Sequence, residues 1–281
     1  MPAWINDVGT GRRLHLAAGP DGRLLAKADR GPWPTPAIVI SLPKAGTYML
    51  GRLLARVGYV DSEWHVSEFL LTDYRGMSTE QKRGPLFRER VFHVPIGVSA
   101  GLVADGQFTV GHLPVTPYVR TSLVGFRKLF MYRNLVDAIF SRLRFRVDSG
   151  REPRSIPWVS MQPGPAQAIA YLDAVGRQRL YDGLAPLLDW TSEPGVVPIA
   201  YEELVGDGGE SARDACIARI AGAIGMPVDA ARQTFMADVV GQQTPTFSGR
   251  RTEAGVYLDR RVEALLEEWG ILELNRRLGY A

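Results

Sequence analysis

Residues 37–42, AIVISL, are apolar almost without a break and rich in β-branched side chains. That pattern belongs to a strand buried on both faces of a parallel sheet. Leu50, Leu53, Leu54 and Val57 then recur at helical spacing, and Gly58 closes the segment. Strand, tight turn and helix therefore run from 37 to 57. A second unit of the same kind follows. Residues 129–132 read as a strand and Arg133-Asn134 as its exit, and Val136, Ile139, Phe140 and Leu143 mark one face of a helix. A third strand is expected within 195–204, and helices over about 165–182, 211–224, 229–239 and 259–278.

Strands alternating with helices predict an α/β fold of three layers, with a central, mainly parallel sheet flanked by helices. Apolar residues are 46% and charged residues 22% of the 281, enough for one packed domain over 1–281. Residues 1–36, broken by Gly11, Gly19, Gly22 and GPWPTP, read as an N-terminal extension, and 146–164 as a mobile loop. The net charge of +3 argues against a general nucleic-acid coat. One cysteine, Cys216, cannot form an internal disulfide and suits a reducing compartment. With no apolar signal core and no apolar run approaching the roughly 20 residues of a membrane span, the expected location is cytoplasmic.

The turn SLPKAGT, 41–47, carries the chemistry. A strand feeding a helix through a tight turn aims backbone N–H groups and the positive end of the helix dipole at one point. Gly46 lets an anion approach the backbone, Lys44 adds a full charge and Thr47 a hydroxyl. The order differs from the G-x-x-x-x-G-K-[ST] loop that holds a metal–triphosphate. The upstream Gly is absent, and Ala45 stands where a metal-holding hydroxyl would follow the Lys. The turn suits an anion better than a metal–triphosphate. The plain alternative is a strand–helix turn with a solvated Lys.

SLPKAGTYMLGRLL resembles the P-K-[ST]-G-T loop, followed by an aromatic residue, of sulfotransferases that use 3′-phosphoadenosine 5′-phosphosulfate (PAPS), a family with a P-loop-like fold. By that resemblance Lys44, Ala45, Gly46, Thr47 and Tyr48 hold the 5′-phosphosulfate. LFMYRNLVDAIFSRLRF, 129–145, resembles the family's Y-x-x-R-N-P-x-D-x-x-x-S unit, so Arg133 and Ser141 would grip the nucleotide's 3′-phosphate; Leu135 stands where Pro is usual. GHLP, 111–114, is similar to the family's T-H-x-P segment, which makes His112 the general base, with Gly111 replacing Thr. Glu68, in the region where some carbohydrate sulfotransferases place their base, is the second candidate. IAYEEL resembles a Y-E-D-L segment and assigns Tyr201 to the adenine. FSGRRTEAGVY resembles a late segment that closes over the nucleotide and assigns it Phe247 and Arg250.

The resemblance implies transfer of a sulfuryl group from PAPS to a hydroxyl or amine of a small-molecule, sugar or lipid acceptor, leaving 3′-phosphoadenosine 5′-phosphate, with no metal required. The acceptor-binding regions, roughly 60–110 and 146–195, match nothing. Two other classes stay open at this point: a small-molecule kinase using ATP and Mg²⁺, and a non-catalytic nucleotide-binding module.

Overall fold

The computed structural model describes residues 4–6, 13–15, 31–239 and 254–280. Two short strands, β1 (Trp4–Asn6) and β2 (Arg13–His15), pair antiparallel within the N-terminal extension. The first βα unit is β3 (Ala37–Ser41) and α1 (Thr47–Arg56). Then come β4 (Val60–Val66), β5 (Leu70–Asp73), α2 (Thr79–Arg83), β6 (Val91–His93) and α3 (Ile96–Gly101). After β7 (Gln107–Gly111) and α4 (Pro117–Ser122), the second predicted unit is β8 (Arg127–Tyr132) and α5 (Leu135–Asp148). Helices α6 (Pro157–Ser160), α7 (Pro165–Val175) and α8 (Arg177–Leu188) lead to β9 (Val196–Ala200). Helices α9 (Tyr201–Val205), α10 (Glu210–Ile224), α11 (Val228–Asp238), α12 (Arg260–Glu268) and α13 (Ile271–Arg277) follow.

The main sheet has the order β6-β5-β4-β7-β3-β8-β9. Pairing is parallel from β4 to β9, and β5 and β6 add an antiparallel edge. Every residue of β3 and of β7 is buried, as an apolar strand between two helical layers must be. Helix α1 packs on β3, β4 and β7, and α10 on β8 and β9. A second helical group, in which α5 meets α7 and α13, completes the flanking layers. The expected three-layer, mainly parallel α/β architecture is the one observed. Among the described residues no helix is long and apolar enough to cross a membrane.

Several predicted boundaries shift for local reasons. The strand expected over 195–204 stops at Ala200, and YEELV winds as α9, ended by Gly206 at φ 91. The helices expected over 165–182 and 259–278 each break in two at a glycine in the left-handed region, Gly176 (φ 79) and Gly270 (φ 77). Within 146–164, read as a mobile loop, α5 extends to Asp148 and α6 buries Trp158, whose carbonyl accepts from Gln167 Nε2 at 2.8 Å.

Residues 60–66 carry a bulge that the sequence did not announce. The register of β4 against β7 shifts between Asp61 and His65, and Glu63 sits at φ 57. A bulge re-aims the side chains beyond it. Here it brings Val66 beside Gly111 so closely that a Cβ on Gly111 would lie 2.3 Å from the Val66 carbonyl oxygen. That same oxygen accepts from His112 N at 3.2 Å. Glycine at 111 is thus a packing requirement of the bulged neighbour. Gly111→Ala should push β4 away and cost about 1–3 kcal/mol, read as a lower urea midpoint. An unchanged midpoint would show that β4 is not held at this distance.

Candidate functional site

The first corner leaves β3. Leu42 N donates to Met131 O on β8 at 3.0 Å, and Ala45 N donates to Leu42 O at 3.2 Å, closing a turn over Leu42–Ala45. Pro43 and Lys44 are its central pair, and Lys44 lies at φ 70. A turn with a positive φ at its third residue ordinarily takes glycine there, so Lys44 is held in an uncommon conformation. Because the Ala45 amide closes the turn, it is not available to a ligand as the sequence reading supposed. The amides that follow belong to Gly46, at φ 101, and to the start of α1, which has no side-chain cap and no acidic residue in its first turn. Gly46 has no spare room: a Cβ there would lie 2.9 Å from Met131 Cε and 3.0 Å from Tyr201 Cδ2.

Lys44 Nζ lies 4.4 Å from the centre of the Phe145 ring. Burial first, then Arg144, Arg133, Arg83 and Arg151, push its ammonium down to about 7. An anion at this corner would reverse that pressure.

The second corner leaves β8, the parallel neighbour of β3, with Ser41 level with Met131. Asn134 caps α5 by accepting from Val136 N and Asp137 N. The Leu135 amide donates to the buried Asn275 Oδ1 on α13 at 2.7 Å, so this chain uses an N–H that proline would lack. Arg133 is 5% exposed. Its guanidinium stacks on Tyr201, 4.7 Å from the ring centre, and meets Asp137 at 3.3 Å and Glu202 at 3.8 Å. Its Nε has no hydrogen-bond partner. That Nε is the atom that faces the Glu202 carboxylate, beyond hydrogen-bond distance. Ser141, buried on α5, lies two turns along the same helix. Tyr201 lies against both Gly46 and the Arg133 guanidinium.

On the other side of β3, β7 delivers His112. Its Nδ1 lies 2.8 Å from Ser41 O and 3.3 Å from Ser41 Oγ. Donation to the carbonyl fixes the tautomer and leaves Nε2 as the basic nitrogen. Ser41 Oγ also meets Thr47 Oγ1 at 2.5 Å. The His112 ring packs edge-on against His65, 4.7 Å between centres, and His65 Nδ1 meets the Tyr48 hydroxyl at 3.1 Å. Burial lowers His112 to about 4, with Arg142 adding to the shift and the Ser41 carbonyl opposing it. Burial and then His112 hold His65 well below the usual imidazole range, and burial raises the Tyr48 phenol.

A cavity of about 410 Å³ opens against these groups, lined by Lys44, Gly46, Thr47, Tyr48 and His112 among others. Arg133, Ser141, Tyr201 and Glu68 do not line it; the Glu68 carboxylate accepts from Thr116 Oγ1 at 2.9 Å at the base of α4. Phe247 and Arg250 lie outside the described residues. Sequence reasoning missed Ser41, His65 and Arg151; the basic run SRLRFR reads from sequence either as an extension of an anion-binding rim or as a solvated helix face, and Arg142 and Arg146 line the cavity. Ser41 stands at the start of the SLPKAGT turn, but neither the loop pattern nor its spacing assigns it a role. His65 reaches His112 only through the bulge, which no local pattern signals.

No protein-family model matches the sequence, and neither does any curated protein. Solved structures do match. Retinol dehydratase in a complex with retinol and PAP is 14% identical, over 86% of this chain and 81% of that one, with a TM-score of 0.50. Retinol dehydratase with androsterone and inactive cofactor PAP is 13% identical, over 86% and 81%, with a TM-score of 0.51. Mouse sulfotransferase SULT7A1 complexed with PAP aligns at 12% identity, over 84% and 82%, with a TM-score of 0.49. The chain shares the fold of the retinol dehydratase structures, as the sequence resemblance implied.

The histidine pair has a consequence for stability. Unfolded, His112 titrates near 6.5; folded, near 4. The unfolded chain therefore binds a proton that the fold refuses, and stability falls as the pH drops from 6.5 towards 4. His112→Gln removes that share, so denaturation midpoints followed from about pH 7 down to about 4.5 should decline less steeply in the variant. Parallel declines would mean that His112 is not buried neutral.

Proposed function

We propose that the protein transfers a sulfuryl group from PAPS to a hydroxyl or amine of a small-molecule, carbohydrate or lipid acceptor. One observation carries the reading. His112, Lys44, Arg133 and Tyr201 follow the carboxyl ends of β7, β3, β8 and β9, four strands adjacent in the sheet. Ligands of open α/β sheets bind outside those ends. The groups present fit a doubly phosphorylated nucleotide: a glycine-floored turn at a helix N-terminus for one phosphate, and the Arg133 guanidinium, stacked on Tyr201, for the other.

In this reading Gly46, Thr47 and Tyr48 amides and the Thr47 hydroxyl hold the 5′-phosphosulfate, and Arg133 and Ser141 the 3′-phosphate. Tyr201 lies against the adenine. The acceptor oxygen attacks sulfur, the bond from sulfur to the bridging oxygen breaks, and that oxygen keeps the electron pair beside Lys44. The acceptor's proton passes to His112 Nε2. Catalysis is positioning plus electrostatics, without a covalent enzyme intermediate. Ligand-free His112 is a weak base at about 4, and an anionic donor beside it raises its affinity for the proton. Glu68 is the less favoured base because its carboxylate lies off the cavity and is engaged by Thr116.

Thermal shift and mass spectrometry test the reading. Adenosine 3′,5′-bisphosphate should raise the melting temperature more than Mg–ATP does. Lys44→Ala and His112→Ala should each cut sulfuryl transfer, followed as product mass, by on the order of 10²-fold. Stronger stabilisation by Mg–ATP would hand the site to phosphoryl transfer.

A further inference from the structure

The cavity is strongly basic, and its cations extend beyond the donor corner. Lys44, Lys82, Arg88, Arg142, Arg146 and Arg151 line it, against a single carboxylate, Glu152. Glu152 is occupied by Arg146, 2.5 Å from Nη2, and lies 3.9 Å from Arg88. Lys82 pairs with Glu63 at 3.5 Å. Lys44 belongs to the donor corner. Arg142 and Arg151 remain, and neither has a carboxylate partner among the described residues.

Arg151 is held in place without one. Its Nε donates to Arg83 O at 2.7 Å and its Nη2 to Lys82 O at 2.6 Å. Its guanidinium lies 3.8 Å from the centre of the Phe87 ring and 4.8 Å from that of Phe145. This is a rigid, half-buried cation aimed by neutral groups, an arrangement that loses little freedom when it grips an oxyanion. Arg142 follows Ser141 on α5 and lines the same cavity as His112. Desolvated cations without counter-charges are costly, and a bound anion removes that cost.

We propose that the acceptor itself carries an oxyanion, a carboxylate or a phosphate or sulfate ester, held by Arg142 and Arg151, with its carbon frame against Phe87 and Phe145. This rests on the sulfuryl-transfer reading. Arg142 and Arg151 are then specificity-determining residues that discriminate against neutral alcohols and phenols.

The test uses two probes of nearly equal shape, para-hydroxybenzoate and its neutral amide, para-hydroxybenzamide. Each is titrated by calorimetry into the protein saturated with adenosine 3′,5′-bisphosphate. The wild type should bind the carboxylate at least about tenfold more tightly than the amide, the worth of one charge-assisted contact. Arg151→Gln and Arg142→Gln, made separately, should each remove most of that preference while leaving bisphosphate affinity unchanged. Equal affinities in the wild type, binding of neither probe, or a preference that survives both substitutions overturns the inference and leaves the donor reading standing. Failure of the bisphosphate to bind overturns the donor reading, and the inference falls with it.

Discussion

The parallel pairing of β7, β3, β8 and β9 is the constraint from which the site follows. Parallel neighbours start their exits on the same edge of the sheet, so four segments remote in sequence must emerge side by side. Ser41 stands level with Met131, and Leu42 N reaches across to the Met131 carbonyl. That one bond ties the start of the Lys44 turn to the strand that delivers Arg133. Tyr201, at the end of β9, then closes the gap by touching Gly46 and Arg133 together.

Two positions at which this chain departs from the sulfotransferase pattern, 111 and 135, have local physical causes. Glycine at 111 answers the close approach of Val66, which the bulge in β4 forces. Leucine at 135 keeps an amide that α13 requires for the buried Asn275, so the last helix of the fold is anchored directly at the Arg133 corner. Tyr280 reinforces that anchor, its hydroxyl donating to Glu202 at 2.5 Å, while Glu202 accepts from the Asn134 amide at 3.2 Å. Such changes shift packing without removing a group that could meet a ligand.

Electrostatics in the cavity oppose the ligand-free fold. A lysine lowered to about 7 by burial and neighbouring arginines is held where its charge is disfavoured. The imidazoles of His112 and His65 are held neutral by burial. Stability is given up at the place where a polyanion would restore it, the usual relation between a preorganised site and the fold that carries it.

The two corners were legible in the sequence because each is local. A buried strand, a turn with its Lys and Gly, and an amphipathic helix are written in consecutive residues, and so is the strand exit at Arg133-Asn134; that Asn134 caps α5 came from the structure. His112 was legible through its neighbours in GHLP. Residues 60–110 were not, because the bulge at Asp61–His65 and the antiparallel edge of β5 and β6 depend on partners elsewhere in the chain. Sequence by itself determined the α/β class and which turns could meet an anion, since backbone geometry and short-range periodicity decide those. Only the tertiary structure decided that His65 stands against His112, that Asn275 holds Leu135 and that Arg151 reaches the cavity. Each of those contacts joins residues that chain order keeps apart and packing brings together.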